Sequence, residues 1–175
     1  MPAIYAREVA ELSLIVIKQI CTINKFKDEI RMKNKIAILQ QLFLRETEGR
    51  PIIERSSQSL TDIQAEQYNK WLSEKRDFLV EEIAASHWIK SCTAGYITEV
   101  IFKVSGSLTE FTLFDRLKTV GHWELADGLL HVSIFKGDNQ YDFVIVANAD
   151  VNIHSAIEYK NDELHSYLKL AQTRV

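Results

Sequence analysis

The chain has 175 residues and a net charge of −3, so it is long enough to bury a core of its own and has no general attraction for nucleic acid. The apolar run Leu14–Ile17 is too short to span a bilayer, and charged residues before it interrupt any signal-peptide pattern. Cys21 and Cys92 show no spacing typical of a metal site. We therefore expect a soluble, cytoplasmic protein that needs no cofactor and has neither a membrane nor a nucleic acid as partner.

The first helical signals lie at the start of the chain. Residues 3–22 are apolar on nearly every side, which is typical of a helix that is covered by other elements or lies in a dimer interface. A second helix is predicted over about Lys25–Leu44, and Pro51 cannot continue it. The basic residues within 25–35 are interpreted as a solvated helix face, with ion pairs four residues apart.

A third helix is predicted after Thr61. This residue and Gln64 match a capping box, and apolar residues then recur every three or four positions as far as Trp88. The sequence thus predicts a helical region, 1–92, followed by a β region, 93–175, in one compact domain.

The β region opens with an alternating segment at 96–104, which predicts a strand. Residues 107–120 are ambiguous, because Ser107 and Glu110 could form a capping box while the apolar residues also alternate. We favour a strand here, since Gly121 follows without polar helix caps and the neighbouring segments are all β.

Asp127-Gly128 marks a tight hairpin, because a two-residue turn of this kind needs positive φ at both positions. Counting outward from it pairs Leu125 with Leu130 and Trp123 with Val132. These side chains share one face, since neighbours along a strand alternate between faces.

The following joints extend this apolar face. A second loop, 137–140, aligns Lys136 with Tyr141 and places Phe143 opposite Ile134. After Asn148 an odd-length loop keeps the face apolar, and its further members are then Ile153, Ile157, Tyr159, Leu164, Leu168 and Leu170. The predicted fold is α+β, with about three N-terminal helices packed on the apolar face of a C-terminal antiparallel β-meander of five to seven strands that curls towards a half barrel.

The opposite face of the predicted sheet carries four of the five histidines, and two of them oppose a glutamate: Glu124 faces His131, and Glu158 faces His165. Cross-strand ion pairs would explain both pairs without any ligand. The candidate ligand-binding residues on this face are His122, Glu124, His131, Phe135, Val144, His154, Glu158, His165 and Tyr167. His122, Glu124 and His131 are also candidate metal ligands, because imidazole and carboxylate groups bind zinc or iron.

One short motif resembles a known family. Gly121, His122 and Trp123 form a GxW triplet, which looks like the opening signature of the lipocalins, whose barrels hold small apolar ligands. The resemblance covers three residues, and about 120 residues precede a triplet that lies near the start of a lipocalin domain. We therefore do not assign the family. The common enzyme motifs are absent from the sequence.

Three functions remain open. The first is a noncatalytic interaction or assembly module that binds a protein partner or a second copy of itself. The second is a barrel-like protein that binds a small ligand or a metal through the histidine-rich face, and the third is an enzyme with a His/Glu site there. Sheet curvature separates the first two, since an open sheet would leave the histidines in water whereas a closed barrel would enclose them.

Overall fold

The computed structural model describes residues 2–47, 49, 53–55 and 60–173, with side chains described for residue 20 and, within these ranges, from residue 22 onward. The chain divides into two compact units, residues 1–36 and residues 37–175. The first unit, as far as it is described, is helical, and the second contains the end of that helix and all of the described strands. No helix in the described part of the chain is long and apolar enough to cross a lipid bilayer.

The described helices are α1 (Pro2–Thr47), α2 (Asp62–Ser73) and α3 (Val80–Ala84). The two helices predicted over 3–22 and 25–44 form a single helix, since no proline or glycine separates them. As predicted, α2 begins at the capping box, in which the Thr61 hydroxyl accepts the Gln64 N–H and the Gln64 side chain accepts the Thr61 N–H.

The prediction that the third helix runs to Trp88 is wrong, because α2 ends at Ser73. A short strand, β1 (Lys75–Arg76), follows. Phe78, Ile83 and Trp88 then enter one core from a loop, from α3 and from a strand. Each of these three elements buries an apolar residue in the same core. The spacing of these residues along the sequence therefore resembles that of one continuous helix.

The remaining strands form a closed barrel. They are β2 (His87–Cys92), β3 (Ile97–Phe102), β4 (Ser107–Thr112), β5 (Lys118–Ala126), β6 (Leu129–Lys136), β7 (Asn139–Asn148), β8 (Ile153–Lys160) and β9 (Glu163–Thr173). Each pairs antiparallel with the next, β9 pairs with β2, and β1 adds to the edge of β7.

The helix-plus-sheet class is confirmed, but the predictions of five to seven strands and of a half barrel are wrong. The barrel has eight strands, and β1 is an additional one. The error comes from β2, which was assigned to a helix. Because β2 pairs with both β3 and β9, it is the strand that closes the meander. Residues 107–112 are a strand, as favoured from the sequence.

The register around Asp127-Gly128 is confirmed pair by pair, and both residues have positive φ. The next hairpin differs from its prediction by two residues, because its loop consists of Gly137 and Asp138 alone. Phe143 therefore faces Val132 and not Ile134. A shift of two residues leaves every side chain on its predicted face.

The prediction for β8 is wrong in a way that matters for the site. The loop from residue 149 to residue 152 has an even number of residues, so Phe143 pairs with Glu158, and Ile145 pairs with Ala156. His154, Ala156 and Glu158 consequently face the barrel interior, while Ile157 faces outward. A one-residue change of loop length exchanges the two faces of a strand.

One end of the barrel interior is plugged by the segment at 77–84. The backbone N–H of Phe78 donates to the carbonyl oxygen of Gly128 at 3.0 Å, and Nε1 of Trp88 donates to the carbonyl oxygen of Ile83, also at 3.0 Å. These side chains belong to the apolar core that fills this end of the barrel.

The outer wall of the barrel is partly covered by helix. Ile38, Leu42 and Phe43 of α1 pack with Val144 and Ile157 in a second apolar cluster. We predicted that helices cover the face that carries Trp123, and this is wrong, because closure of the barrel turns that face inward. Within the second unit, α1 and α2 cover the opposite face, while α3 contributes Ile83 to the interior core.

Candidate functional site

The end of the barrel opposite the plug contains a cavity of about 350 Å³. Its size suits a small organic ligand, since such sites span roughly 300–1,000 Å³. The charged and polar lining includes Lys90, Thr98, Glu110, Lys136, Glu158 and His165, and the larger apolar and aromatic lining includes Tyr96, Ile134, Tyr141 and Leu168. The register places these residues together, because the inward positions of successive strands lie side by side.

Glu110 is a buried carboxylate whose two oxygens are both bonded. Its Oε1 accepts hydrogen bonds from Oγ1 of Thr98 at 2.7 Å and from Nζ of Lys90 at 2.7 Å. Its Oε2 accepts from Oγ1 of Thr119 at 2.9 Å. The donors come from three other strands, so this carboxylate joins neighbouring parts of the barrel wall.

Glu158 lies on the other side of Lys90 and is not bonded in this way. Its Oε2 is 3.6 Å from Nζ of Lys90, and its Oε1 is 3.9 Å from Nε2 of His165, both beyond hydrogen-bond length. The Glu158 side chain is only 6% exposed, and its buried Oε2 has no hydrogen-bond partner among the described residues. A buried carboxylate oxygen without a hydrogen bond is costly, so this atom needs an explanation.

The two carboxylates differ in charge behaviour. Burial alone would raise the pKa of Glu110, but the charge of Lys90 and the three hydrogen bonds lower it below its ordinary value. For Glu158, burial raises the pKa, and the more distant Lys90 and His165 do not compensate for it. The same cavity therefore holds one carboxylate that favours the ionised form and one that resists it.

Four of the predicted site residues lie on the outside of the barrel. His122 lies against Phe135, with ring centroids 5.5 Å apart. Glu124 faces His131 across β5 and β6, as predicted, and both line an outer groove of about 450 Å³ that also includes Arg55.

Val144 and Tyr167 are also on the outside, but the protein covers them itself. Both pack with α1 residues such as Leu42 and Phe43 in the cluster on the outer wall. Their apolar surface is therefore explained by the fold, and they do not form an open binding face.

His154 is separated from the other predicted residues, because it is fully buried in the plugged end. Its Nδ1 accepts the backbone N–H of Asn148 at 3.1 Å, and its Nε2 lies 3.3 Å from Oε1 of Gln172. The rings of Phe78 and Trp88 are 5.0 and 5.5 Å away. Burial lowers the pKa of His154, which favours a neutral imidazole with the proton on Nε2.

His165 is the predicted residue that the structure brings to Glu158. The prediction that Glu158 faces His165 across the two strands is wrong. An irregularity in the β8–β9 ladder places Ser166 opposite Glu158. His165 instead lines the mouth of the cavity, where its side chain is 46% exposed.

His122, Glu124 and His131 were candidate metal ligands, beside the alternative of plain cross-strand pairs. Across the described residues, no group of three or more His, Cys, Asp and Glu side chains is placed to hold a metal ion.

Comparison with known proteins found no matching family model, no matching curated protein and no matching solved structure. No family is assigned. The chemistry of the site is therefore inferred from the side chains of this chain alone.

A larger cleft, of about 700 Å³, lies outside the barrel around Glu46. Oε1 of Glu46 accepts from Ser155 at 2.5 Å, Tyr167 at 2.8 Å and Lys169 at 2.9 Å. Its Oε2 accepts from Nε1 of Trp71 at 2.8 Å and lies 3.3 Å from Nζ of Lys75. Both oxygens of the carboxylate therefore already have hydrogen-bond partners, and Glu46 links α1 to the barrel wall.

The sequence did not identify Lys90, Thr98 and Glu110 as site residues. A signal was present, because each is a polar residue at an inward position of a strand whose other inward residues are apolar, such as Trp88 and Val100. For Lys90 it could be recognised only once residues 87–92 were assigned to a strand, whereas Thr98 and Glu110 lie in segments that the sequence already predicted as strands.

Proposed function

We propose that this protein binds a small molecule in the cavity at the open end of its barrel. The observation that carries the proposal is the buried carboxylate of Glu158, which borders the cavity and whose Oε2 has no hydrogen-bond partner in the described part of the chain. Buried polar atoms are normally satisfied, and binding sites are a common place for exceptions.

The barrel geometry supports this function over an interaction surface. Eight strands leave an interior that is either filled by side chains or holds one small ligand. Here the two ends of the interior differ, since Phe78 and Trp88 fill one end while the other end is open. The residues of the predicted histidine-rich face, which was one of the two docking surfaces considered for an interaction module and the candidate surface for a metal, are divided between the outer wall, the plug and the cavity mouth.

The cavity lining indicates a ligand with an apolar part and a polar head. Ile134, Tyr141 and Leu168 supply the apolar contacts, and Lys90, Glu110 and Glu158 form the polar part of the lining. An enzymatic use of the same groups stays a prediction, because ligand binding must come first in either case.

Blocking the cavity tests the proposal. Thr112 is at its rim, so Thr112→Trp would narrow the mouth, while Lys118→Trp places the same side chain on an exposed outer position. We expect some members of a panel of small aromatic fragments to raise the Tm of the wild type and of Lys118→Trp, but not that of Thr112→Trp, because a ligand of the folded state stabilises it. The proposal is wrong if no fragment raises the Tm, or if Thr112→Trp responds like the wild type.

A second candidate function, self-association, is favoured by the described part of the first unit. Ile20, Ile23, Phe26 and Ile30 are exposed by 52, 53, 64 and 43%, although they recur at helical spacing. In the sequence, Val9, Val16, Ile23 and Ile30 repeat every seven residues, with Leu12 and Phe26 three residues after two of them. β-branched residues at the first position of such a repeat favour a parallel two-stranded coiled coil when leucine takes the fourth position, which here holds only for Leu12, while Gln19 and Lys33 take it in two other repeats. The proposed partner, a second copy of the chain, is therefore supported mainly by the first positions of the repeat.

Light scattering tests this second candidate. We expect a dimer for the wild type and a monomer for the double variant Ile23→Lys, Ile30→Lys, because two charges would enter the apolar seam of each helix. Met32→Lys is the matched control, since Met32 is 60% exposed but lies off the seam. A monomeric wild type, or an equal loss of the dimer in the control, would exclude the coiled coil.

A further inference from the structure

We infer that the ligand of the cavity carries a protonated nitrogen, such as an ammonium or amidinium group, that binds the carboxylate of Glu158. This inference rests on the proposed function and adds the chemical class of the ligand. It follows from the position of the charges around the cavity and from the hydrogen bonds that each of them already makes.

The buried charges of the cavity do not balance. Glu110 and Glu158 are 10% and 6% exposed, and Lys90, the cation between them, is 13% exposed. One ammonium group therefore serves two carboxylates. Nζ of Lys90 lies 2.7 Å from Glu110 and 3.6 Å from Glu158, so its hydrogen bond goes to Glu110.

The other cationic side chains near the cavity do not form a hydrogen bond with the carboxylate of Glu158. His165 is half exposed, and its Nε2 is 3.9 Å from the carboxylate. Lys136 is at the exposed rim, and Nζ of Lys160 lies 5.9 Å from the centre of the Tyr141 ring. In the described part of the chain, no cationic side chain comes within hydrogen-bond distance of Glu158.

An anionic ligand would fit this site poorly. It would meet two carboxylates and would have to take Lys90 from Glu110, which already holds that ammonium group at 2.7 Å. A cation, by contrast, supplies both the missing positive charge and the missing N–H donor. Charge-assisted hydrogen bonds of this kind are stronger than hydrogen bonds between neutral groups.

The inference predicts how affinity depends on pH. Burial raises the pKa of Glu158 in the free protein, and a bound cation would lower it again. Cation affinity should therefore increase as the pH rises through the range in which free Glu158 loses its proton. Lys90, Glu110, Cys92, Tyr96, Lys136, Tyr141, Lys160 and His165 also surround the cavity or its rim.

Of these groups, His165 has its Nε2 3.9 Å from the carboxylate of Glu158, so any contribution of its imidazole has to be separated from that of Glu158. The variant His165→Gln separates the two contributions. If Glu158 is responsible, the increase of affinity with pH persists in His165→Gln and is absent from Glu158→Gln.

Three probes of nearly equal shape and different charge test the inference: benzamidine, benzamide and benzoate. We measure their Kd by calorimetry or ligand-observed NMR with the full chain. Benzamidine should bind most tightly and benzoate most weakly. In Glu158→Gln, benzamidine should lose about tenfold or more in affinity, while benzamide changes little. Glu124→Gln, on the outer wall, is the matched control and should bind like the wild type.

The outcomes separate the two proposals. If benzoate or benzamide binds more tightly than benzamidine, or if Glu158→Gln leaves benzamidine binding unchanged, the cation inference is wrong while ligand binding in the cavity stands. If none of the three probes binds, the inference is also wrong, and the fragment panel with Thr112→Trp decides separately whether the cavity accepts any ligand. Because Gln is close to Glu in size, we expect Glu158→Gln to fold, and its Tm verifies this.

Discussion

Glu46 on the outer wall of the barrel and Glu158 in its cavity are both largely buried carboxylates, but their surroundings differ. Glu46 accepts hydrogen bonds from four side chains besides its contact with Lys75. Burial alone would raise its pKa, yet the hydrogen bonds and the neighbouring charges lower it to about 2. For Glu158, burial raises the pKa by more than Lys90 and His165 lower it, and its Oε2 has no hydrogen-bond partner among the described residues.

This difference distinguishes a carboxylate that stabilises the fold from one that is available to a ligand. The larger cleft is the one around Glu46, so cavity size alone would select a different region from the one that we propose to bind a ligand. What decides is whether the buried oxygens already have partners, because a completed set of bonds leaves nothing for a ligand to satisfy.

The largest expected effect comes from removing the outer carboxylate. Glu46→Ala removes the carboxylate partner of Lys75 and Lys169 and the hydrogen bonds that join the end of α1 to β8 and β9, so we expect a loss of about 3–5 kcal/mol in the free energy of unfolding. Urea denaturation measures it. Glu66→Ala, at an exposed position of α2, should change stability by less than about 0.5 kcal/mol. A loss below about 1 kcal/mol for Glu46→Ala would contradict the role given to this residue.

Acid should remove much of the same stabilisation. Since folding lowers the pKa of Glu46 from 4.5 to about 2, its contribution is fully present above about pH 4.5 and decreases as the pH falls towards 2. The fall corresponds to about 3 kcal/mol. Unfolding free energies of the wild type and of Glu46→Gln, measured from pH 6 to pH 2, should converge over this range. Curves that stay parallel would show that another group is responsible.

The cavity carboxylate should behave in the opposite way. Because the pKa of Glu158 is raised in the folded protein, its ionised form destabilises the fold as the pH rises above the ordinary value. We expect Glu158→Gln to be more stable than the wild type by about 1 kcal/mol in mildly alkaline solution and equal to it in acid. Thermal unfolding at several pH values measures this. Glu110→Gln, which breaks a bonded pair, should instead be less stable, and a loss of stability in both variants would remove the distinction between them.

The smallest effect is expected on the outer wall, at the pair of Glu124 and His131. Exposed cross-strand pairs contribute only about 0.2–1 kcal/mol, so Glu124→Gln should change the unfolding free energy by less than about 0.5 kcal/mol. The same urea titration measures this change. A loss above about 1 kcal/mol would contradict the prediction, because an exposed pair does not explain it.

Local patterns in the sequence predicted the elements that depend on a few neighbouring residues. The Asp127-Gly128 turn set the pairing of β5 with β6, and the Thr61–Gln64 capping box marked the start of α2. Both features are decided within a short stretch of chain, by backbone conformation in one case and by end-group hydrogen bonds in the other.

Features that depend on distant partners were not predictable in the same way. The number of loop residues between β7 and β8 decided which face His154 and Glu158 occupy, and composition does not reveal that number. Similarly, β2 is a strand because β3 and β9 lie on either side of it, although its spacing of apolar residues continues that of a helix.

The sequence by itself thus determined the alternation that makes an inward apolar face and the hairpin that sets its register. It also determined which charged residues lie in the strands, but not which of them face the interior. Only the tertiary structure decided that the sheet closes and that Lys90, Glu110 and Glu158 meet inside it. The physical reason is that closure pairs strands more than seventy residues apart, and which polar side chains share a cavity depends on those long-range pairings.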